Sequence, residues 1–514
     1  MRDILIGVDV GTSVIKAIAF DLEGRQLAAA ATPNRYHTRP DGAAFQSLDE
    51  TWSDCAATLR LLGERVPDLA QRTAAIGVTG QGDGTWLVDG ANRPVGDAWL
   101  WLDGRAGPTV RRLRGAPADR ARYVATGSGL NVCQQGSQLA HMKATTPEIV
   151  AAADAGMHCK DWLYLNLTGV RATDPSEACF TFGDFRTRAY DDEVIAALGL
   201  TAERRLLPPI IDGTTTTHPL SAAAAAVSGL RPGTPVSLGF VDVVCTALGA
   251  GILTQGAPAR CSIIGSTGMH MRACAAEDAY LNAEGTGYTM TLPIPGMIAQ
   301  MQSNMAATLN IDWALALAAD LMADMGHVVA REDLIARIEG WVAGARPGAL
   351  LYHPYISEAG ERGPFVNNRA RAGFNGLSFS HRFPDLMRGV VEGLGMAARD
   401  CYAAMGASSS EVRLTGGAGR SRALRAILAA CVNAPVRVSS REEAGAAGAA
   451  MIAACAVGAY ADMNAAIARW VTPALGEAEA PDAALVDIYE KLFPAYLMAR
   501  KALEPVWEQL AQKD

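Results

Sequence analysis

Ile4-Leu-Ile-Gly-Val-Asp-Val-Gly-Thr-Ser-Val-Ile-Lys-Ala-Ile-Ala-Phe20 opens the chain with two apolar, β-rich runs about a polar turn. Ile4 to Val8 predicts a strand, Asp9 to Ser13 a glycine-bearing turn and Val14 to Phe20 a second strand. Asp21-Leu22-Glu23-Gly24 then turns the chain into a third strand, Arg25 to Ala30. The glycine loop thus joins two strands. A Walker-type phosphate loop would lead into a helix, and no Walker sequence occurs in the chain.

The same pattern recurs in the second half. Arg260 to Ile264 predicts a strand, Gly265-Ser266-Thr267-Gly268 a polar turn and Met269 to Arg272 a returning strand, which together suggest an internal structural repeat. Between the two lie helical periodicity at Asp49 to Arg65 and after Pro117, and strands at Ala75 to Thr79 and Pro235 to Val241, the latter ending at Asp242. Pro208-Pro209 and the alanine-rich stretch Ser221 to Val227 read as surface connections. Later come a helix near Pro384 to Met405, a strand Glu411 to Leu414 and a helix Ser421 to Cys431. Ala444 to Tyr460 and Pro481 to Leu510 close the chain as helices. Alternating strands and helices define an α/β protein. At 514 residues it is too long for one hydrophobic core, so two domains are expected, 1–250 and 251–514, with the boundary near residues 245–260.

Half the residues are hydrophobic and 19% are charged, the balance of a folded globular protein. The net charge of -8 and the absence of a basic run argue against a nucleic-acid partner. No run of about 20 apolar residues predicts a membrane span. The ten cysteines are scattered without a CxxC pair, so they read as buried thiols of a reducing compartment, and a cytoplasmic location is expected.

Four segments could carry chemistry. In Asp9-Val-Gly-Thr-Ser13, glycine lets a ligand approach the backbone, and the Thr12 and Ser13 hydroxyls, with Lys16 three residues on, suit phosphate oxygens. Asp9 could hold a magnesium ion through its waters; an ordinary hairpin turn uses the same residues. Thr415-Gly-Gly-Ala-Gly-Arg-Ser421 offers a flat surface for an adenine, or simply a tight strand-to-helix turn. Thr79-Gly-Gln-Gly-Asp-Gly84 exposes backbone while Gln81 and Asp83 offer paired hydrogen bonds, and the nearby Trp99 to Arg105 segment supplies Trp101 and Asp103. Apolar faces with directional polar groups are what a polyhydroxylated ligand needs. Asp242 in Gly239-Phe-Val-Asp-Val-Val244 is a lone carboxylate among apolar neighbours. Desolvation would raise its pKa and make it a base for an attacking hydroxyl, although capping the next helix explains it equally well.

In this order these segments resemble the FGGY carbohydrate-kinase family, which includes glycerol kinase, xylulose kinase and ribulokinase. The resemblance spans nearly the whole chain: Asp9 to Ser13, Trp101-x-Asp-x-Arg105, Thr126-Gly127, Lys160-Asp-Trp-Leu163, Leu167-Thr-Gly169, Thr173-Asp-x-Ser176, Asp242, Gly265 to Gly268, Glu361-Arg-x-Pro364, Gly376-Leu377, Gly416-Gly-Ala418 and Glu443 to Ala449. It implies two ribonuclease-H-like domains, as in actin and hexokinase, with an active site in the cleft between them. It further implies ATP as phosphoryl donor with Mg2+ placed by Asp9, Thr12 and Ser13 on the phosphates with Gly265, Ser266 and Thr267 opposite, and Gly417, Ala418 and Ser421 at the nucleotide. Asp242 matches the family's catalytic base. Gln81, Gly82, Asp83, Trp101, Asp103 and Gln135 are the candidate contacts for a small polyol or sugar. Where relatives carry Arg-Glu or His-Gly after the Gln, this chain has Gly82-Asp83, and Val243 follows the base in place of Gln or Asn. The combination of Gly80-Gln-Gly-Asp-Gly84, Gly239-Phe-Val-Asp-Val-Val244 and Cys159-Lys-Asp-Trp-Leu163 is most similar to the bacterial erythritol-kinase branch, with the L-xylulose/3-keto-L-gulonate branch second. An acidic substrate would be repelled by Asp83. Family members are often oligomers, so a homo-oligomer is open, as is a catalytically silent, actin-like scaffold on the same fold.

Overall fold

The computed structural model describes residues 2–254, 257–406 and 410–511; of the expected boundary stretch, 255 and 256 lie outside the described residues. The opening segment folds as anticipated, into strands β1 (Ile4–Val10) and β2 (Val14–Asp21) followed by β3 (Gln26–Pro33). With β4 (Thr73–Gly80), β5 (His218–Pro219) and β6 (Pro235–Leu238) they form one mixed sheet in the order β5-β6-β4-β1-β2-β3. The β1–β2 and β2–β3 pairs are antiparallel, whereas β4 joins β1, and β6 joins β4, in parallel. On one face lie α1 (Leu48–Arg65) and α2 (Cys159–Thr168), whose apolar sides cover Ile6, Val8, Ile76 and Val78. Next come α3 (Pro175–Phe182) and α4 (Asp242–Ala250).

The second half repeats this plan. Strands β7 (Arg260–Ile264), β8 (Gly268–Ala275), β9 (Tyr288–Thr291), β10 (Met297–Asn304), β11 (Val412–Thr415) and β12 (Val436–Val438) form a sheet ordered β9-β10-β8-β7-β11-β12. Here too an antiparallel meander is extended by two parallel strands. Helices α5 (Thr308–Asp324), α6 (Phe383–Ala403) and α7 (Arg422–Cys431) follow. After them come α8 (Ala444–Ala456) and α9 (Ala483–Leu510). The loops 11–13 and 265–267 are therefore equivalent, each the first hairpin of its sheet.

One reading needs correction. Ser221 to Val227 is not a bare connection but leads into a helix, Ala222–Ser228, because Ser221 Oγ caps the Ala224 N–H at 3.1 Å and Gly229 closes the other end at φ +74°. Five successive alanines then cost no side-chain entropy in a helix. The strand expected to reach Val241 stops at Leu238, and Asp242 begins α4.

Between the two sheets α4 and α8 pack against each other, and they share one buried cluster with Leu5, Ile18 and Phe20 of the first sheet and Cys261 and Met271 of the second. The approach is closer than side chains permit. A Cβ on Gly77 would lie 2.0 Å from the Ala449 carbonyl oxygen, and one on Gly448 would lie 2.2 Å from that of Cys245. The Ala/Gly run at 444–449 is thus the surface along which the second half seats on the first, and it is the reason this helix carries almost no polar side.

Candidate active site

The two central helices cross at close range, with Ala444 at the start of α8 against Gly249 of α4 and Gly448 against Cys245. Asp242 is the first residue of α4, and its Oδ1 accepts the Val243 N–H at 2.6 Å. The first turn of α8 passes so close to β1 that a Cβ on Gly445 would lie 2.3 Å from Asp9 Oδ2. Each N-terminus carries the positive end of a helix dipole, a setting that favours anions. Asp9 lies in register with Lys16 on β2 and Thr79 on β4. Burial pushes its carboxyl up to about 6 against the pull of Lys16, and Glu443 adds to the rise. Asp242 is raised well above the usual carboxylate range, first by burial and then by the charge of Asp9. Asp242 at the head of α4, raised by the charge of Asp9, and Asp9 against the first turn of α8 suit a divalent cation with phosphate, since magnesium keeps most of its waters and takes only one or two carboxylates. Among the described residues no set of three or more His, Cys, Asp or Glu forms an all-protein cage for a metal.

The phosphate-loop candidates fall into two groups. Thr12 and Ser13 lie in the first hairpin, where Val10 O accepts the Gln81 N–H at 2.8 Å and so joins this loop to the 80–84 loop. Gly265, Ser266 and Thr267 turn the second hairpin, held from behind by Ala307 N–H on Ser266 O (2.7 Å) and Thr308 Oγ1 on Gly265 O (2.9 Å), with both hydroxyl side chains exposed. Gly416, at φ +93°, presses on the Ile264 carbonyl, which sets Gly417 and Ala418 beside that second loop; space above Gly265 and Gly417 is open. Ser421 instead caps α7 at Leu424 N–H and donates to Glu339 Oε1 at 2.9 Å. Lys16 is paired with Glu443 at 2.8 Å, a link from the first sheet to the start of α8.

The substrate candidates divide as well. Asp83 is held at φ +58° with one carboxylate oxygen buried and without a hydrogen bond, and Trp101 is half-buried with its indole N–H on Thr12 Oγ1 at 2.9 Å. Gln81 stands behind them: it accepts from Thr12 Oγ1 (2.9 Å) and donates to Gln46 Oε1 (2.7 Å), so one network spans the phosphate loop and the 80–84 loop. Asp103 is fully buried in a bidentate pair with Arg105, and the Gln135 amide is spent on Met157 O at 2.7 Å. Both polar ends are buried and committed to the protein itself. Gly82 lies flush on the Val241 side chain.

Several groups at this site carry no local signal. Glu443 meets Lys16 across 427 positions. Tyr288 of β9 accepts from Asn131 at 2.9 Å and lies 3.8 Å from Cys133 Sγ, beside Asp83. Glu361 is buried at 1% exposure, its Oε1 accepting the N–H groups of Met305 and Arg362 at 2.9 Å each. Burial pushes its carboxyl up from an ordinary 4.5 to about 8. The folded state therefore holds this proton more tightly than the unfolded chain. The stabilisation is complete below about pH 4.5 and is lost as pH rises through about 8. Glu361→Gln, which stays neutral, is expected to gain about 3 kcal/mol relative to the wild type between pH 5 and pH 8. Denaturant unfolding of both proteins at the two pH values measures the difference.

Two repeated α/β domains, each opened by a glycine-bearing hairpin, with a desolvated aspartate at the head of a helix packed between their sheets, are the arrangement of a sugar-kinase-type phosphotransferase. The comparisons agree with this class. The signature of the FGGY family of carbohydrate kinases, N-terminal domain, matches residues 4–249 and that of the C-terminal domain matches residues 261–457. This chain belongs to the FGGY family of carbohydrate kinases. It is 65% identical to the erythritol kinase of Brucella abortus over 509 residues, covering 99% of this chain and 98% of that protein. Against the L-xylulose/3-keto-L-gulonate kinase of Escherichia coli the identity is 32% over 49% of this chain and 51% of that protein. In fold it matches the crystal structure of gluconate kinase from Lactobacillus acidophilus with a TM-score of 0.88 at 20% identity, covering 99% of each chain. No helix among the described residues is long and apolar enough to cross a membrane.

Proposed function

We propose that this chain is an erythritol kinase, forming erythritol 4-phosphate from ATP and erythritol. The observation that carries the substrate is the 65% identity, sustained across both domains, to an erythritol kinase. The L-xylulose/3-keto-L-gulonate kinase matches only 49% of the chain, at 32% identity.

In this reading Asp242 accepts the proton of the attacking hydroxyl. Its raised pKa makes it a stronger base than an ordinary carboxylate, and its place at the head of α4 aims the dipole of that helix at the transferring phosphoryl group. Thr12 and Ser13 meet the phosphates from one domain, Gly265, Ser266 and Thr267 from the other, and Gly417 with Ala418 forms the platform for the base. Asp9 and Asp242 fit a magnesium ion, whose bound charge would offset that of the phosphates and of the two carboxylates. Asp83 and Trp101 face the polyol, the one with an unspent carboxylate oxygen and the other with an aromatic face, while Gln81 fixes their backing. Closure of the two domains would exclude the water that competes as nucleophile.

The test is ADP release with ATP and magnesium across erythritol, glycerol, xylitol, D-xylulose and L-xylulose. Erythritol is expected to give a kcat/KM at least about tenfold above every other acceptor, a difference of about 1.4 kcal/mol in transition-state binding. A ketopentose turned over faster would overturn the substrate assignment.

A further inference from the structure

Asp83 adopts a left-handed backbone conformation, φ +58°, one that Asp tolerates more readily than most residues. A buried carboxylate holds it there. Glu177, fully buried on the first turn of α3, accepts the Asp83 N–H on Oε1 at 3.2 Å. Gly82 lies against the same oxygen: a Cβ there would stand 2.9 Å from Glu177 Oε1 and 2.4 Å from Val241 Cγ2. The preceding residue, Ser176, accepts the Val241 N–H on Oγ at 3.1 Å, and Val241 is the residue before Asp242. A single helical turn thus holds both the loop that carries Asp83 and the residue next to the proposed base.

This turn is braced by a closed circuit of buried charge. Glu177 Oε2 faces His158 Nε2 at 3.4 Å, and His158 Nδ1 faces Asp161 Oδ2 at 3.1 Å. Asp161 Oδ1 lies 2.6 Å from Lys160 Nζ, which lies 2.6 Å from Asp174 Oδ2. Asp174 Oδ1 in turn accepts from the backbone N–H of Ser176 at 2.8 Å and from its hydroxyl. Burying so many ionised groups is costly unless each is paired. A hydrophobic turn would have packed the same space, so the charges are kept for the two backbone N–H groups at the ends of the circuit.

We propose that Glu177, with Ser176, is a positioning residue for phosphoryl transfer: it sets the polyol-contact loop at Asp83 against the base at Asp242. This rests on the reading of Asp242 as base and of Asp83 as a polyol contact. It assigns a role to residues outside the cleft lining, which touch substrate only through their neighbours. Because Asp83 is the end held by Glu177 and Val241 the end held by Ser176, the two residues should fail differently.

The experiment compares steady-state kinetics of Glu177→Asp, Glu177→Gln and Ser176→Ala with the wild type, together with thermal midpoints. Glu177→Asp keeps the charge but withdraws the oxygen from the Asp83 N–H, so polyol KM is expected to rise at least about tenfold while ATP KM stays within about twofold. Glu177→Gln keeps an acceptor oxygen in place and is expected to return polyol KM to within about threefold of the wild type. Ser176→Ala frees Val241 and is expected to lower kcat at least about tenfold with polyol KM little changed. Equal changes in both KM values with a lowered thermal midpoint in all three variants would show a merely structural role and overturn the proposal. So would wild-type kinetics in Glu177→Asp. If the wild type turns over no polyol, the functional reading has failed; if it does and only the variants disagree, this inference has failed alone.

Discussion

Asp242→Asn is expected to lower kcat for polyol phosphorylation by about a thousandfold or more while ATP affinity, read by calorimetry or by a nucleotide-dependent rise in thermal midpoint, stays within about threefold. The amide matches the carboxylate in shape and can still accept the Val243 N–H that starts α4, so the helix and the nearby loops keep their places. What it loses is the capacity to take a proton. The stability readout separates this from damage. The native carboxylate is desolvated and repelled by Asp9, and a neutral amide is cheaper to bury. The thermal midpoint should therefore hold or rise as activity vanishes. The wild type should also lose kcat/KM as pH falls through the raised pKa of Asp242, because only the deprotonated form is a base. Near-normal turnover in Asp242→Asn would remove this residue from the role.

Much of this site could be read from the sequence because its backbone parts are local. A strand, a glycine turn and a second strand leave a signature within seventeen residues, and it recurs at 260–272 in the equivalent place of the second sheet. Asp242 is legible as a lone carboxylate among apolar neighbours, either a base or the cap of a following helix. That helix is one of the two readings of the segment, although the apolar residues 243–250 lack the polar face that marks a surface helix; both neighbouring layers bury this one. The Ser221 to Val227 stretch misleads because alanine carries no periodicity to read. Asp103 and Gln135 had the right chemistry for a polyol but spend it inside the protein. The converse holds for Glu177 and His158: each looks ordinary in its own segment, and only the ion pairs between the starts of α2 and α3, His158 with Glu177 and Lys160 with Asp174, bring them together by the 80–84 loop. Side chains that act on a neighbour's backbone leave no pattern in one sequence. Small residues do, once the packing is known: Gly77, Gly445 and Gly448 mark where α8 presses on the first sheet, on Asp9 and on α4.

Lys160→Met is expected to destabilise the first domain by about 3–5 kcal/mol, the usual consequence of removing one partner from a buried ion pair. Lys160 has no exposed side-chain surface and stands 2.6 Å from carboxylate oxygens of both Asp161 and Asp174. Its pKa is raised above that of a free lysine because these two charges outweigh the cost of burial, and Asp161 is held at about 2 chiefly by Lys160, against its own burial. Methionine fills similar volume, so the loss reports charge and not a cavity. Two carboxylates would then be buried with His158 nearby, and the lowered pKa of Asp161 would rise. For Asp161 the sign follows directly. A carboxyl held below its unfolded value stabilises above about pH 4 and loses that stabilisation as pH falls toward 2. The gap between wild type and Lys160→Met should accordingly be widest near neutral pH and should narrow in acid. Adding Asp174→Asn to Lys160→Met should recover part of the loss by removing one orphaned charge. Urea unfolding at pH 5 and pH 7.5 gives the sign and size. A loss below 1 kcal/mol, or one unchanged by Asp174→Asn, would mean that this charged circuit does not hold the fold. The bracing assigned to Ser176 and Glu177 would then have to come from the apolar packing of α3 instead.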